Sequence, residues 1–132
     1  MKEAKDDYRA FVVHRGKHCF IVLNRYPYNP GHVMIAPYQH LDRLQKLPRP
    51  AAREMMDLCQ RVEAALRKAY NAAAINLGMN IGAGAGAGVT GHIHMHALPR
   101  WIGDTNFMTT VGETRFLPEA LEQTYKKLRA AL

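Results

Sequence analysis

Residues 91–101 read Gly-His-Ile-His-Met-His-Ala-Leu-Pro-Arg-Trp, so three of the seven histidines fall at positions 92, 94 and 96. Side chains of a strand alternate between its faces, which sets His92, His94 and His96 on one side and Ile93, Met95 and Ala97 on the other. Three readings suit such a row. It is a polar strand face and nothing more, a site for Zn²⁺ or Cu²⁺ with His40 as a fourth imidazole, or a catalytic row acting on a phosphate. The metal reading finds no obvious carboxylate or thiolate to complete its ligand set. The catalytic reading uses the fact that imidazoles titrate near about 6.5, so neighbours can differ in protonation at neutral pH. A neutral ring attacks while a cationic one stabilises charge and protonates the leaving oxygen.

The segment just before the row is Gly82-Ala-Gly-Ala-Gly-Ala-Gly88. Alternating glycine and alanine suits a low-complexity turn. It equally suits a backbone that adopts positive φ and approaches a ligand with no Cβ in the way, its N–H groups forming an anion-binding concavity. Neither a Walker A loop nor a dinucleotide fingerprint is present: no Gly-Lys-Ser/Thr follows, and a strand rather than a helix comes next.

The flanking elements must hold these groups in place. Residues 10–15 (AFVVHR) and 18–24 (HCFIVLN) are β-rich runs around Gly16-Lys17, a hairpin signal. Arg25-Tyr-Pro-Tyr-Asn-Pro-Gly31 is a loop, since two prolines and a glycine interrupt any regular element. Residues 32–37 (HVMIAP) form a third strand of an antiparallel meander. Pro50 opens a long helix to about Asn71, in which Met55, Leu58, Cys59, Val62, Ala65, Leu66 and Ala69 make one apolar stripe. A fourth strand is predicted over 74–79 and a fifth over 91–98, whose apolar face packs on the long helix. A last helix is predicted from about Pro118 to the end, with Leu121, Tyr125, Leu128 and Leu132 facing inward. The class is α+β, a five-stranded antiparallel sheet with one long helix across it and a C-terminal helix.

At 132 residues the chain suits one domain, spanning 1–132, and at 48% hydrophobic it suits a globular one. No apolar run approaches the roughly 20 residues of a membrane span. MKEAKDDYRA lacks the apolar stretch of a signal peptide, so a cytoplasmic location is expected. Cys19 and Cys59, forty residues apart and in no CxxC pair, read as buried free thiols. The formal charge of +7 favours anionic partners such as nucleotides, polyphosphates or nucleic acid. The cations are scattered, however, with Arg67-Lys68 and Lys126-Lys127 on helices and no long basic run, as on an ordinary solvated surface. A nucleic-acid partner is therefore not expected.

His92-Ile-His94-Met-His96-Ala-Leu98 resembles the His-x-His-x-His-x-x signature of the histidine-triad superfamily, x being apolar. Asn24-Arg-Tyr-Pro-Tyr-Asn-Pro-Gly-His32 with Pro37-Tyr-Gln-His40, and Asn80-Ile-Gly82, resemble two further segments of that superfamily, so the likeness spans roughly residues 10–100. Pro99-Arg100-Trp101 and the run at 103–108 resemble the branch of fragile-histidine-triad proteins and diadenosine polyphosphate hydrolases and phosphorylases. The resemblance implies a homodimer, with His94 as the nucleophile on the α-phosphorus of a nucleotide and no metal or other cofactor in the covalent step. It gives His96 the phosphoryl oxygens and leaving group, His92 the orientation of the site, and Gly88 and Thr90 the phosphate through the loop backbone. Asn24 is placed on the ribose, with Asn80 and His40 at the substrate side. Two departures stand out. Gly88 occupies the place where many triad hydrolases carry glutamine, which opens room for a second anion such as orthophosphate. The N-terminal CxxC pair of zinc-binding relatives is missing, so no structural zinc is expected. Two other readings on the same site are a nucleoside phosphoramidate hydrolase and a nucleotide-binding or signalling protein with weak turnover.

Overall fold

A computed structural model of the chain describes residues 2–87, 91–104 and 119–132. The β-rich runs form strands β1 (Val12–Arg15), β2 (Cys19–Leu23), β3 (Val33–Pro37), β4 (Ala74–Gly78) and β5 (Met95–Arg100). They make one antiparallel sheet in the order β1-β2-β3-β5-β4. Helix α2 (Arg49–Tyr70) takes Pro50 in its first turn and ends on left-handed Asn71. Its stripe of Met55, Leu58, Cys59, Val62, Ala65 and Leu66 is buried with Ile21, Leu23, Val33, Ile35 and Ala97 of the sheet. Both cysteines are free and buried there.

Glu54 joins the first turns of α2 to the β1–β2 turn. Its carboxylate accepts the backbone N–H groups of Lys17, His18 and Cys19, at 2.8, 2.5 and 2.5 Å. Burial pushes this carboxyl up, but the three N–H groups outweigh it and hold the pKa below the ordinary value. A Cβ at Gly16 would lie 2.9 Å from that carboxylate, so the turn is closed around it.

Several boundaries differ from the sequence expectation. The fifth strand runs over 95–100 rather than 91–98, which places His92 and His94 ahead of it. β3 ends at Pro37, which has no N–H for a further rung, and its pairing with β5 stops at Ile35↔Met95. At the other end β5 continues through Pro99, because pairing with β3 ends at Val33↔Ala97 and the last residues pair with β4 alone. The first 10 residues hold an unforeseen helix, α1 (Lys2–Ala10), anchored by a two-pronged Asp7–Arg15 ion pair and by Tyr8 edge-on to Tyr125. The described part of the last helix, α3, spans Leu121–Ala131, and Pro118 lies outside the described residues. Leu128 is buried, Leu121, Tyr125 and Leu132 pack on the core, and Thr124 joins them inside.

Candidate active site

The face of β5 opposite α2 carries the imidazoles. Ile93 and Ala97 are buried and Met95 packs on the core, so His94 and His96 turn the other way, as alternation requires. Although His92 and His94 precede the strand, the approach is fixed: Ile93 N–H donates to the Leu41 carbonyl at 2.7 Å. His94 and His96 stand edge to face with centroids 4.7 Å apart.

A fourth ring joins them. His32 precedes β3, and the register Met34↔His96 makes His32 a diagonal neighbour of His96 on the same face. Its Nε2 lies 3.0 Å from His96 Nδ1. Within the sequence His32 reads only as the start of a strand; its place in the segment Asn24–His32 is the one signal that could have found it.

Carbonyls and backbone amides set the protons on these rings. Tyr28 N–H donates to His32 Nδ1 at 3.2 Å, so the proton of neutral His32 sits on Nε2 and is donated to His96 Nδ1. His96 then carries its own proton on Nε2. His94 Nδ1 lies 3.0 Å from the His92 carbonyl, which can only accept, so the proton is on Nδ1 and the Nε2 lone pair is free. His92 Nε2–H donates to the Pro37 carbonyl at 2.7 Å, and His92 Nδ1 is 3.3 Å from His40 Nδ1.

Burial, reinforced by His96 and His94, pushes His32 down to about 4. Burial and then His94 lower His96 as well. Both rings are therefore neutral near pH 7. His96 is then not the cationic member of the row, and what it offers is a neutral Nε2–H.

The remaining sequence-derived residues distribute unevenly. Asn24 sits beside the rings: its Oδ1 accepts the Tyr26 N–H at 2.9 Å and its Nδ2 lies 3.4 Å from His32 Nε2. His40 is exposed against His92, with rings 5.0 Å apart. Asn80 is exposed two residues beyond Gly78, the register partner of His96, and makes no hydrogen bond among the described residues. Gly88 and Thr90 lie outside the described residues. Among the described residues no group of three histidine, cysteine or acidic side chains is arranged to hold a metal ion.

A polar cluster behind the rings joins Arg100 and Asp104, which the sequence marks only as parts of two resembling segments, with Asn29. Buried Asp104 takes a two-pronged ion pair from Arg100, at 2.6 and 3.0 Å, and a hydrogen bond from Asn29 Nδ2 at 3.3 Å. The Arg100 hydrogen bonds hold the Asp104 carboxyl below the usual carboxylate range. Asn29 also donates to the Pro99 carbonyl, and its own carbonyl accepts the His32 N–H. The end of β5 thereby grips the loop that aims His32.

Residues 5–101 match the family model of the HIT domain. An AP-4-A phosphorylase of Mycobacterium tuberculosis is 38% identical over 122 residues, covering 92% of this chain and 63% of that protein. The chain thus spans just under two thirds of that relative's length. A bis(5'-nucleosyl)-tetraphosphatase (asymmetrical) of Schizosaccharomyces pombe is 32% identical over 89 residues, 67% of this chain and 48% of that one. In structure, a Hit-like protein from Bartonella henselae, described as involved in cell-cycle regulation, aligns with a TM-score of 0.76 at 24% identity. The alignment covers 99% of this chain and 93% of that one, a likeness of fold.

Proposed function

The chain belongs to the HIT domain family, and we propose that it cleaves dinucleoside polyphosphates by passing a nucleotidyl group through His94 Nε2. The observation that carries this reading is the 3.0 Å contact of His94 Nδ1 with the His92 carbonyl, which leaves Nε2 as a lone pair beside a protonated His96 Nε2. In the first step Nε2 forms a bond to the α-phosphorus, and the bond from that phosphorus to its bridging oxygen breaks. The departing nucleoside polyphosphate leaves as an anion, with the His96 Nε2–H hydrogen-bonded to the phosphoryl oxygens where charge accumulates. The positive charge that develops on the His94 ring is shared with the His92 carbonyl through Nδ1–H. In the second step an acceptor oxygen attacks the same phosphorus, the N–P bond breaks, and Nε2 recovers its lone pair.

Orthophosphate is the acceptor in this proposal. What supports it is the glycine at position 88, where many triad hydrolases carry a glutamine amide, and the name AP-4-A phosphorylase carried by the Mycobacterium tuberculosis relative. Asn24 takes the ribose of the retained nucleoside, Asn80 and His40 flank the substrate, and the backbone at Gly88 and Thr90 holds the phosphate. His92 orients the site through its carbonyl. The reading includes a homodimer, supported by the edge position of β4, beyond which no further strand lies among the described residues, with Leu77 half exposed, and a cytoplasmic location.

Incubation with diadenosine tetraphosphate, with and without orthophosphate and beside a His94→Asn control, tests the proposal. ADP plus ATP formed only with phosphate is expected. AMP plus ATP without phosphate would remove the role given to Gly88, and turnover by His94→Asn at the wild-type rate would refute the nucleophile.

A further inference from the structure

A cavity about 400 Å³ in volume is lined by Asp42, Arg43, Leu44, Gln45, Ile81 and Gly82. Its size falls within the range of about 300–1,000 Å³ typical of small-molecule sites. Both walls are tied to the histidine row through the chain. One leaves Leu41, whose carbonyl is bonded to Ile93 N–H between the first two histidines. The other begins three residues beyond Gly78, the register partner of His96. A molecule filling this cavity therefore lies against the two segments that adjoin the histidine row.

The lining combines two unspent resources. Leu44 and Ile81 are large apolar side chains left 47% and 42% exposed, facing one cavity where a flat aromatic ring would cover both. Asp42 is occupied by Lys46 at 3.0 Å, whereas the Arg43 side chain makes no hydrogen bond or ion pair among the described residues, its carbonyl alone accepting the Lys46 N–H. A guanidinium with no hydrogen-bonded partner, its charge felt so far only by neighbouring Asp42, next to an apolar slot suits a ligand with a base at one end and phosphates at the other.

We propose that this cavity holds the departing half of the substrate, a nucleoside polyphosphate, with its base against Leu44 and Ile81 and its phosphates on Arg43. This rests on the dinucleoside reading above and deepens it: substrate length is read here, since a substrate with one nucleoside has nothing to place in the cavity. Gln45 supplies the polar edge that a base or ribose needs.

The test compares kcat/KM for diadenosine tetraphosphate with kcat/KM for adenosine 5'-phosphoramidate, which has the same retained half and no second nucleoside. Arg43→Ala is expected to lower this ratio by about tenfold, the loss of one charge-assisted contact. Leu44→Ser is expected to lower it in the same direction. Arg67→Ala removes an equal charge at the far end of α2, where Arg67 is paired with Glu63, and is expected to leave the ratio within about twofold, because exposed pairs of this kind contribute little. If wild type cleaves diadenosine tetraphosphate but the ratio is unmoved by Arg43→Ala and Leu44→Ser, the cavity assignment falls alone. If wild type cleaves only the phosphoramidate, the dinucleoside reading falls and the assignment with it.

Discussion

His32 gives the structure an acid sensitivity of calculable sign. In the unfolded chain its imidazole takes a proton near the ordinary 6.5, but in the folded protein it resists protonation down to about 4. Between these values the unfolded state binds more protons, so stability rises with pH and is lost as pH falls from about 6.5 to about 4. The gap corresponds to about 3 kcal/mol, and with His32 only 7% exposed there is little solvent screening to reduce it. His32→Gln removes the titrating ring while keeping an N–H donor within reach of His96. Urea unfolding of both proteins from about pH 7 to about pH 4.5 isolates the effect, since Glu54 and Asp104 titrate in both and cancel in the difference. The stability of wild type relative to His32→Gln is expected to fall by about 2–3 kcal/mol over that range. A difference that stays constant within about 0.5 kcal/mol would refute the placement of a neutral, buried His32 against His96.

Two further perturbations test how His32 is held. Gly31 has φ +88°, and a Cβ there would meet Tyr70 at 3.0 Å, Leu66 at 3.1 Å and Pro99 at 3.3 Å. Left-handed strain and crowding together make Gly31→Ala destabilising by about 2–4 kcal/mol in denaturant unfolding; an unchanged midpoint would contradict the packing of this turn. Asp104→Asn keeps the shape but discards the charge that pairs with Arg100 and steadies Asn29, and is expected to cost about 1–3 kcal/mol. Because Asp104 acts through His32, kcat is expected to fall about tenfold with KM little changed. Loss of stability with kcat intact would make Asp104 purely structural.

The legible parts of this chain were those with a period or an unusual composition. The stripe on α2 located that helix to within a residue at each end, and strict alternation put Ile93 and Ala97 inside and the imidazoles outside. The class and the five-stranded sheet followed from the same patterns. The strand boundaries around the triad were not legible, because they depend on where β3 runs out of N–H donors, at Pro37, and that is a property of the partner. α1 carries mainly charges and is held by contacts with Arg15 and Tyr125 that no local pattern announces. His32 was hidden for a similar reason: a lone histidine after Pro-Gly has no periodicity, and its role exists only once β3 and β5 pair. The Arg100–Asp104 cluster likewise joins residues from positions 29 to 104 through the fold. Sequence spacing brought His92, His94 and His96 together; register alone added the ring that orients His96.

The covalent step can be observed directly. Wild-type protein mixed with diadenosine tetraphosphate in the absence of orthophosphate is quenched in denaturing base, which preserves an N–P bond, then weighed intact and mapped by peptide mass spectrometry. A mass increase of one AMP group, located on His94 and chased away by orthophosphate with release of ADP, is the expected result. ATP release with no labelled protein at any time, or a label on a residue other than His94, would contradict attack by His94 Nε2.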